Sequence, residues 1–353
     1  MIRGSRSVRS DVQSNAPLEA LLWERRPDGC VVCNLCAHRC LIRPGLRGIC
    51  GVRENREGTL VTLVGDRIVG VNVEPVEKKP FFHFLPGTLA YSFATVGCNL
   101  HCLFCQNYAI SQWPRVRPGP FPGIPMKPRA IVEAAQRAGC RSIAYTYTEP
   151  TIFFELALET SRLAAADGLR NLFVTNGYMT REALGLIAPV LHGANVDLKS
   201  FSDRYYRKVC GARLEPVLET IRAMRELGVW VEVTTLVIPG RNDGDDELTA
   251  LTRWLAAVDR DMPWHVSAFF PAYKMLDIPP TPPSILHRAA LVGRKAGLRY
   301  VYTGNVPGDP WEDTGCPECG RRLLARRGFE VRDNCLEDGH CPVCRTPIAG
   351  VWS

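Results

Sequence analysis

Leu89-Ala-Tyr-Ser-Phe-Ala-Thr-Val96-Gly97-Cys98-Asn-Leu-His-Cys102-Leu-Phe-Cys105 is the stretch that decides how this chain is read. Residues 89–96 are a mostly apolar run of strand length that stops at Gly97, so the cysteine loop follows a buried strand. Three cysteines then fall within eight residues. Three thiolates can hold three irons of a [4Fe–4S] cubane and leave the fourth open to a small molecule. Clusters built for electron transfer usually carry four cysteines, so a three-cysteine loop points to substrate or cofactor chemistry at iron. The alternative is zinc, which wants four N/S ligands and would need His101 or a distant residue as the fourth.

A CxxxCxxC loop after a first core strand, with aromatic Phe104 just before the third cysteine, resembles the radical S-adenosylmethionine (SAM) superfamily. The resemblance implies that the open iron chelates SAM, that Phe104 stands beside the cofactor, and that an electron from the cluster cleaves SAM to a 5′-deoxyadenosyl radical. In such enzymes the organic chemistry belongs to the cofactor, while the protein supplies positioning and exclusion.

Composition sets the bounds. At 353 residues, 46% hydrophobic and 22% charged, the chain is long enough for one large core plus small modules. It carries no apolar run long enough to span a bilayer and no secretory signal at its start, where residues 1–16 read as a disordered tail. Fifteen cysteines in such a chain argue for metal sites in a reducing cytoplasm. The formal charge of +7 counts thiols as neutral. Two four-thiolate zincs and one three-thiolate cubane would leave about +2. A nucleic-acid partner is therefore not indicated.

After the cysteine loop, strand-length runs at 142–147, 170–175, 194–199, 229–238, 264–270 and 299–302 alternate with helix-length amphipathic segments at 128–138, 152–166, 216–227, 246–258 and 285–296. Pro128 and Pro216 suit a first helical turn, and Gly139, Gly168, Gly228 and Gly297 suit helix ends. This alternation means parallel strands with right-handed crossovers, six to seven βα units in all. The resemblance implies an α/β fold built as an open partial (β/α)6 barrel over residues 89–308. Functional residues are then expected at the C-terminal ends of the strands.

The strand ends carry the other candidates. Glu149, in Tyr147-Thr-Glu-Pro-Thr151, keeps the carboxylate of the superfamily's Gly-Gly-Glu motif without its glycine pair, and is expected to meet the SAM amino group. Its alternative is a helix N-terminus carboxylate. Asn176, in Thr175-Asn-Gly177, is similar to the strand end of pyruvate formate-lyase activating enzyme, although Val174 stands where that family has aspartate. Asp197 and Lys199, two apart on a strand, point to one side; the resemblance implies contacts to SAM ribose and carboxylate. His265 is a further candidate contact, with a structural histidine as the alternative.

Two more cysteine groups flank this core. Cys316-Pro-Glu-Cys319 and Cys341-Pro-Val-Cys344 are paired knuckles with zinc-ribbon spacing in a module over 309–353. In the N-terminal module, 17–88, Cys33, Cys36, Cys40 and Cys50 make the best quartet, for a structural zinc first and a second iron–sulfur cluster as the alternative. These flanks, with Glu77-Lys-Lys-Pro-Phe-Phe-His-Phe-Leu-Pro-Gly87, Gly304-Asn-Val-Pro-Gly308 and Ile348-Ala-Gly-Val-Trp352, resemble the AmmeMemoRadiSam system enzymes. That likeness implies Memo and AMMECR-type proteins as partners and a low-potential donor such as flavodoxin or ferredoxin. Lys78, Lys79 and His83 are candidates for a substrate mouth. The sequence thus predicts a radical SAM enzyme that takes hydrogen from a substrate, with a glycyl-radical-enzyme activating protein as one alternative. A zinc-organised scaffold or nucleic-acid-binding protein is the alternative of another class.

Overall fold

The computed structural model describes residues 18–117 and 120–353; the tail expected over 1–16 lies outside them. Seven parallel strands follow one another across one sheet in chain order: β1 (Leu89–Ala94), β2 (Ser142–Tyr145), β3 (Arg170–Thr175), β4 (Gly193–Asp197), β5 (Trp230–Val237), β6 (Trp264–Ala268) and β7 (Val301–Gly304). A helix lies in each crossover: α1 (Pro128–Arg137), α2 (Phe154–Ala166), α3 (Arg181–Ile187), α4 (Glu215–Glu226), α5 (Asp245–Val258) and α6 (Pro283–Lys295). The strands are buried along most of their length rather than alternating buried and exposed, because helices cover the sheet; every residue of β2 and β6 is buried.

Local signals explain most boundaries. Pro128 opens α1 and Pro216 lies in the first turn of α4. Gly139, Gly168, Gly228 and Gly297 all take positive φ just past helix ends. Helix α3 is not foreseen by the sequence pattern. It is only seven residues long, too short for a readable period, and is started by Thr180, whose Oγ1 accepts from the Ala183 amide at 3.2 Å. The run expected over 142–147 leaves the strand after Tyr145, because Tyr147 turns into left-handed backbone at φ 62°.

On the other side of β1, Arg67–Pro75 pairs antiparallel and carries Ile124–Pro125 at the sheet edge. The chain before it forms two small three-stranded antiparallel sheets, Leu18–Glu19 with Arg53–Arg56 and Thr59–Thr62, and Trp23–Arg25 with Val31–Cys33 and Leu41–Ile42. The C-terminal sheet, Thr314–Gly315, Arg322–Arg327 and Glu330–Asn334, packs Leu323, Leu324 and Ile348 against Phe82, Tyr300 and Tyr302 of the body. The last residues then lock onto residues 83–85. The Val351 amide donates to the His83 carbonyl, and the Leu85 amide donates to the Val351 carbonyl, both at 2.7 Å.

Candidate functional site

The ends of all seven parallel strands open into one cavity of about 570 Å³. Cys98, Cys102 and Cys105 line it after β1, Tyr147 and Thr148 after β2, and Asn176 after β3. Asp197 and Lys199 come from the end of β4, Thr234 and Leu236 from β5, His265 and Ser267 from β6, and Thr303, Gly304 and Asn305 from β7. This is where α/β architecture puts chemistry, since loops at the C-terminal strand ends can vary without touching the core.

The cysteine loop is held by hydrogen bonds to its sulfurs. The Leu100 amide lies 3.4 Å from Cys98 Sγ, Asn176 Nδ2 lies 3.7 Å from it, and Cys105 Sγ is 3.2 Å from Ser111 Oγ. Asn176 Nδ2 also donates to Asn99 Oδ1 at 2.8 Å, so the end of β3 fixes the loop's first turn. Burial, with Glu149 and the neighbouring thiols, pushes the Cys98 thiol well up. A soft cation is what would displace such protons. Three convergent soft donors with N–H groups aimed at one of them fit three corners of a cubane.

Lys199 Nζ donates to Asp197 Oδ2 at 2.8 Å and lies 5.8 Å from the centre of the Phe104 ring. Burial alone would lower the Lys199 pKa, but Asp197 and the thiols of Cys102 and Cys210 outweigh it and hold the ammonium well above its usual value. Both groups line the cavity, as expected, although β4 ends at Asp197 and Lys199 stands just past it in the loop.

Glu149, the expected partner of the SAM amino group, is set behind the cavity wall. It does not line the cavity among the described residues; it is fully buried, and its carboxylate is occupied by neighbours. Oε1 accepts from the Thr151 amide and hydroxyl and from Thr175 Oγ1 at 2.6–3.0 Å, and Oε2 accepts from the Asn176 amide at 2.8 Å. Burial raises its pKa while these donors oppose the rise. Glu149 thus caps the turn Pro150–Phe153 and ties β2 to the end of β3. His265 lines the cavity but is also engaged: Nε2 meets Glu232 Oε2 at 2.6 Å, and the ring stacks on Tyr302. Glu232 in turn accepts from the Phe82 and His83 amides. Lys78 lines the cavity, whereas Lys79 is buried against Glu74 and the Tyr147 ring. His83 is sealed between Tyr302 and Ala349.

Several wall residues carry no role in the sequence reading, among them Tyr147, Thr148, Asn107, Ser267 and Asn305. Their signal was positional: each stands at or just beyond a strand end or the cysteine loop. Tyr147 is the clearest, a bulky residue with positive φ whose OH donates to Glu74 Oε2 at 2.7 Å and whose carbonyl accepts from Asn107 Nδ2 at 2.7 Å.

At the C-terminus, Cys316, Cys319, Cys341 and Cys344 bring their sulfurs within 4.8 Å of one another, with 3.5 Å between Cys316 and Cys344 and 3.6 Å between Cys319 and Cys341. That is the separation of a tetrahedral thiolate site, where a metal–sulfur length of about 2.3 Å sets sulfurs roughly 3.8 Å apart. Cys335 and His340 stay outside the group.

A family model described as the Radical SAM superfamily matches residues 93–252. Protein MJ0808 of Methanocaldococcus jannaschii is 43% identical over 333 residues, covering 94% of this chain and 98% of that protein. The chain belongs to the radical SAM superfamily. The superfamily match runs from Phe93 in β1 to Thr252 in α5 and so includes the cysteine loop. Membership implies a [4Fe–4S] cluster and SAM. The chain is also similar to GTP 3′,8-cyclase of Listeria monocytogenes, 24% identical over 44% of this chain and 47% of the cyclase. Among solved structures it is similar to a radical SAM methyltransferase from Sphaerobacter thermophilus, with a TM-score of 0.49 and 16% identity over 63% of this chain and 68% of that one. No helix among the described residues is long and apolar enough to cross a membrane.

Proposed function

We propose that this chain is an enzyme that holds a [4Fe–4S] cluster on Cys98, Cys102 and Cys105, binds SAM beside it, and takes hydrogen from a substrate in the same cavity. The observation that carries the reading is the convergence of these three thiols with polar groups from β3 to β7 on a single cavity. The cluster and SAM supply, when bound, the 5′-deoxyadenosyl radical. The chain's own part is to bind and orient. Lys199 offers a fixed cation for a carboxylate, Asp197 an anion for hydroxyl or ammonium groups, and Thr234 and Ser267 further hydrogen bonds. Leu100, Phe104 and Leu236 are apolar wall that keeps water from the reacting groups.

Glu77, Phe82, Glu312 and Phe329 join the wall from outside the strand series, so the flanking segments help to shape the substrate's share of the cavity. A structural zinc on the four C-terminal cysteines and a low-potential one-electron donor belong to the same proposal, as do Memo and AMMECR-type partners.

The test is anaerobic. Reconstituted protein reduced with dithionite should release 5′-deoxyadenosine from SAM, and Cys102→Ala should abolish this. Protein that held zinc alone and made no 5′-deoxyadenosine, or full activity in Cys102→Ala, would overturn the reading. Deuterium passing from a labelled candidate into 5′-deoxyadenosine names the substrate; deuterium from a backbone glycine of another enzyme would make the chain a glycyl-radical activating protein.

A further inference from the structure

Outside the cavity, four cysteines surround a second space. Cys33, Cys36, Cys40 and Cys50 line it together with Leu35, Ile42, Ile49, Ile152 and Arg53. Three strands and a loop bring them there. Cys33 ends the strand Val31–Cys33, Cys40 precedes its antiparallel partner Leu41–Ile42, and Cys50 sits just before Arg53–Arg56.

Arg53 gives an independent sign that a ligand belongs in this space. Its side chain is 1% exposed, yet it is not fully paired. Nη1 donates to the Leu21 carbonyl at 2.9 Å and reaches Cys33 Sγ at 3.7 Å, Nη2 pairs with Glu155, and Nε has no partner at all. A buried guanidinium N–H without an acceptor is costly, unless something negative and soft sits beside it.

The spread of the sulfurs chooses the ligand. Among the described residues, the C-terminal four are the group of three or more metal-binding side chains whose donor atoms all lie within 4.8 Å of one another. No three of the N-terminal cysteines come that close, although all four face one void. A single zinc would draw four sulfurs to roughly 3.8 Å from one another. A cubane puts each thiolate on its own iron, at separations on the order of 6 Å. The wall between them is apolar, as suits a shielded cluster.

We infer that Cys33, Cys36, Cys40 and Cys50 hold a second [4Fe–4S] cluster, with all four irons bound by protein and an Arg53 N–H directed at it. Such a cluster has no open iron for SAM, so its chemistry is electron storage or transfer. It stands next to the cavity's cysteine loop. Arg115 Nη2 donates to the Ile49 carbonyl at 2.6 Å and to the Cys98 carbonyl at 2.7 Å, joining the two cysteine segments through one guanidinium.

The test is metal content and spectroscopy on the full chain, reconstituted anaerobically with iron and sulfide. About eight irons, eight sulfides and one zinc per chain are expected. The triple variant Cys98→Ala/Cys102→Ala/Cys105→Ala should keep about four irons and, when reduced, an electron paramagnetic resonance signal that SAM does not shift. Adding Cys36→Ser to it should remove that iron. About four irons with two zincs in the unaltered chain, or a triple variant that binds zinc but no iron, would overturn the second cluster. The proposed SAM site fails separately: four irons whose signal ignores SAM in the unaltered chain would sink that site alone.

Discussion

At Gly97 the backbone passes from β1 into the cysteine loop at φ 101°, a conformation that L side chains rarely adopt. A Cβ there would stand 2.8 Å from Val52 Cγ1 and 3.2 Å from the Cys50 carbonyl oxygen. Gly97→Ala should therefore cost on the order of 1–3 kcal/mol and dislodge both cysteine segments. Thermal unfolding and iron content check this, and a variant with unaltered melting and full iron would show that the close approach does not matter. Lys199 makes a second residue-scale prediction. Its ammonium is held charged by Asp197, so Lys199→Ala should weaken SAM binding about tenfold or more, about 1.4 kcal/mol, without loss of cluster iron. Equal SAM affinity in the two proteins would remove Lys199 from the binding site.

Elements show what could be read in advance and what could not. The parallel series was legible because strand-length runs, helix-length spacers and glycine stops are local signals; Asp197 and Lys199 were legible as charged residues at the end of such a run, although β4 itself stops at Asp197. The setting of Glu149 was not. Which way that carboxylate turns depends on Thr175 and on the Asn176 amide, more than twenty-five residues away on the next strand. No local pattern carries that. The N-terminal cysteines pose the same difficulty, since spacing along the chain does not say how far apart the sulfurs stand, and that separation is what differs between zinc and a cubane. Glu149→Gln replaces one acceptor oxygen by an NH₂ group facing donors and should cost about 1–3 kcal/mol. The loss should appear as a lower melting temperature, with β2 and the end of β3 exchanging amide hydrogens faster. A variant as stable as the parent, but unable to bind SAM, would return Glu149 to the cofactor.

Over the whole molecule, the two flanking segments meet at His83, and there pH should act on the fold. The ring is enclosed: Nδ1 donates to the Ala349 carbonyl at 2.6 Å, and Nε2 accepts from the Tyr302 hydroxyl at 2.5 Å. Burial lowers its pKa from 6.5 to about 4, with Arg326 and His265 lowering it further and Glu232 and the Ala349 carbonyl opposing. A neutral imidazole thus joins the C-terminal module to the sheet, next to Phe82 in the cavity wall. Above the unfolded value of about 6.5 the ring is neutral in both states and the contact is intact. As pH falls below it, the unfolded chain takes up a proton that the folded chain refuses, so stability is lost progressively toward the folded value. Between about pH 6.5 and 5 this amounts to about 2 kcal/mol. Glu77, raised by burial to about 6, changes in the opposite sense over the same range, so a comparison of two proteins is needed. His83→Gln keeps a donor and an acceptor but cannot titrate. Its unfolding free energy in urea should fall less than the parent's between pH 7.5 and 5. Parallel pH curves for the two proteins would mean that His83 does not couple protonation to the docking of the C-terminal module.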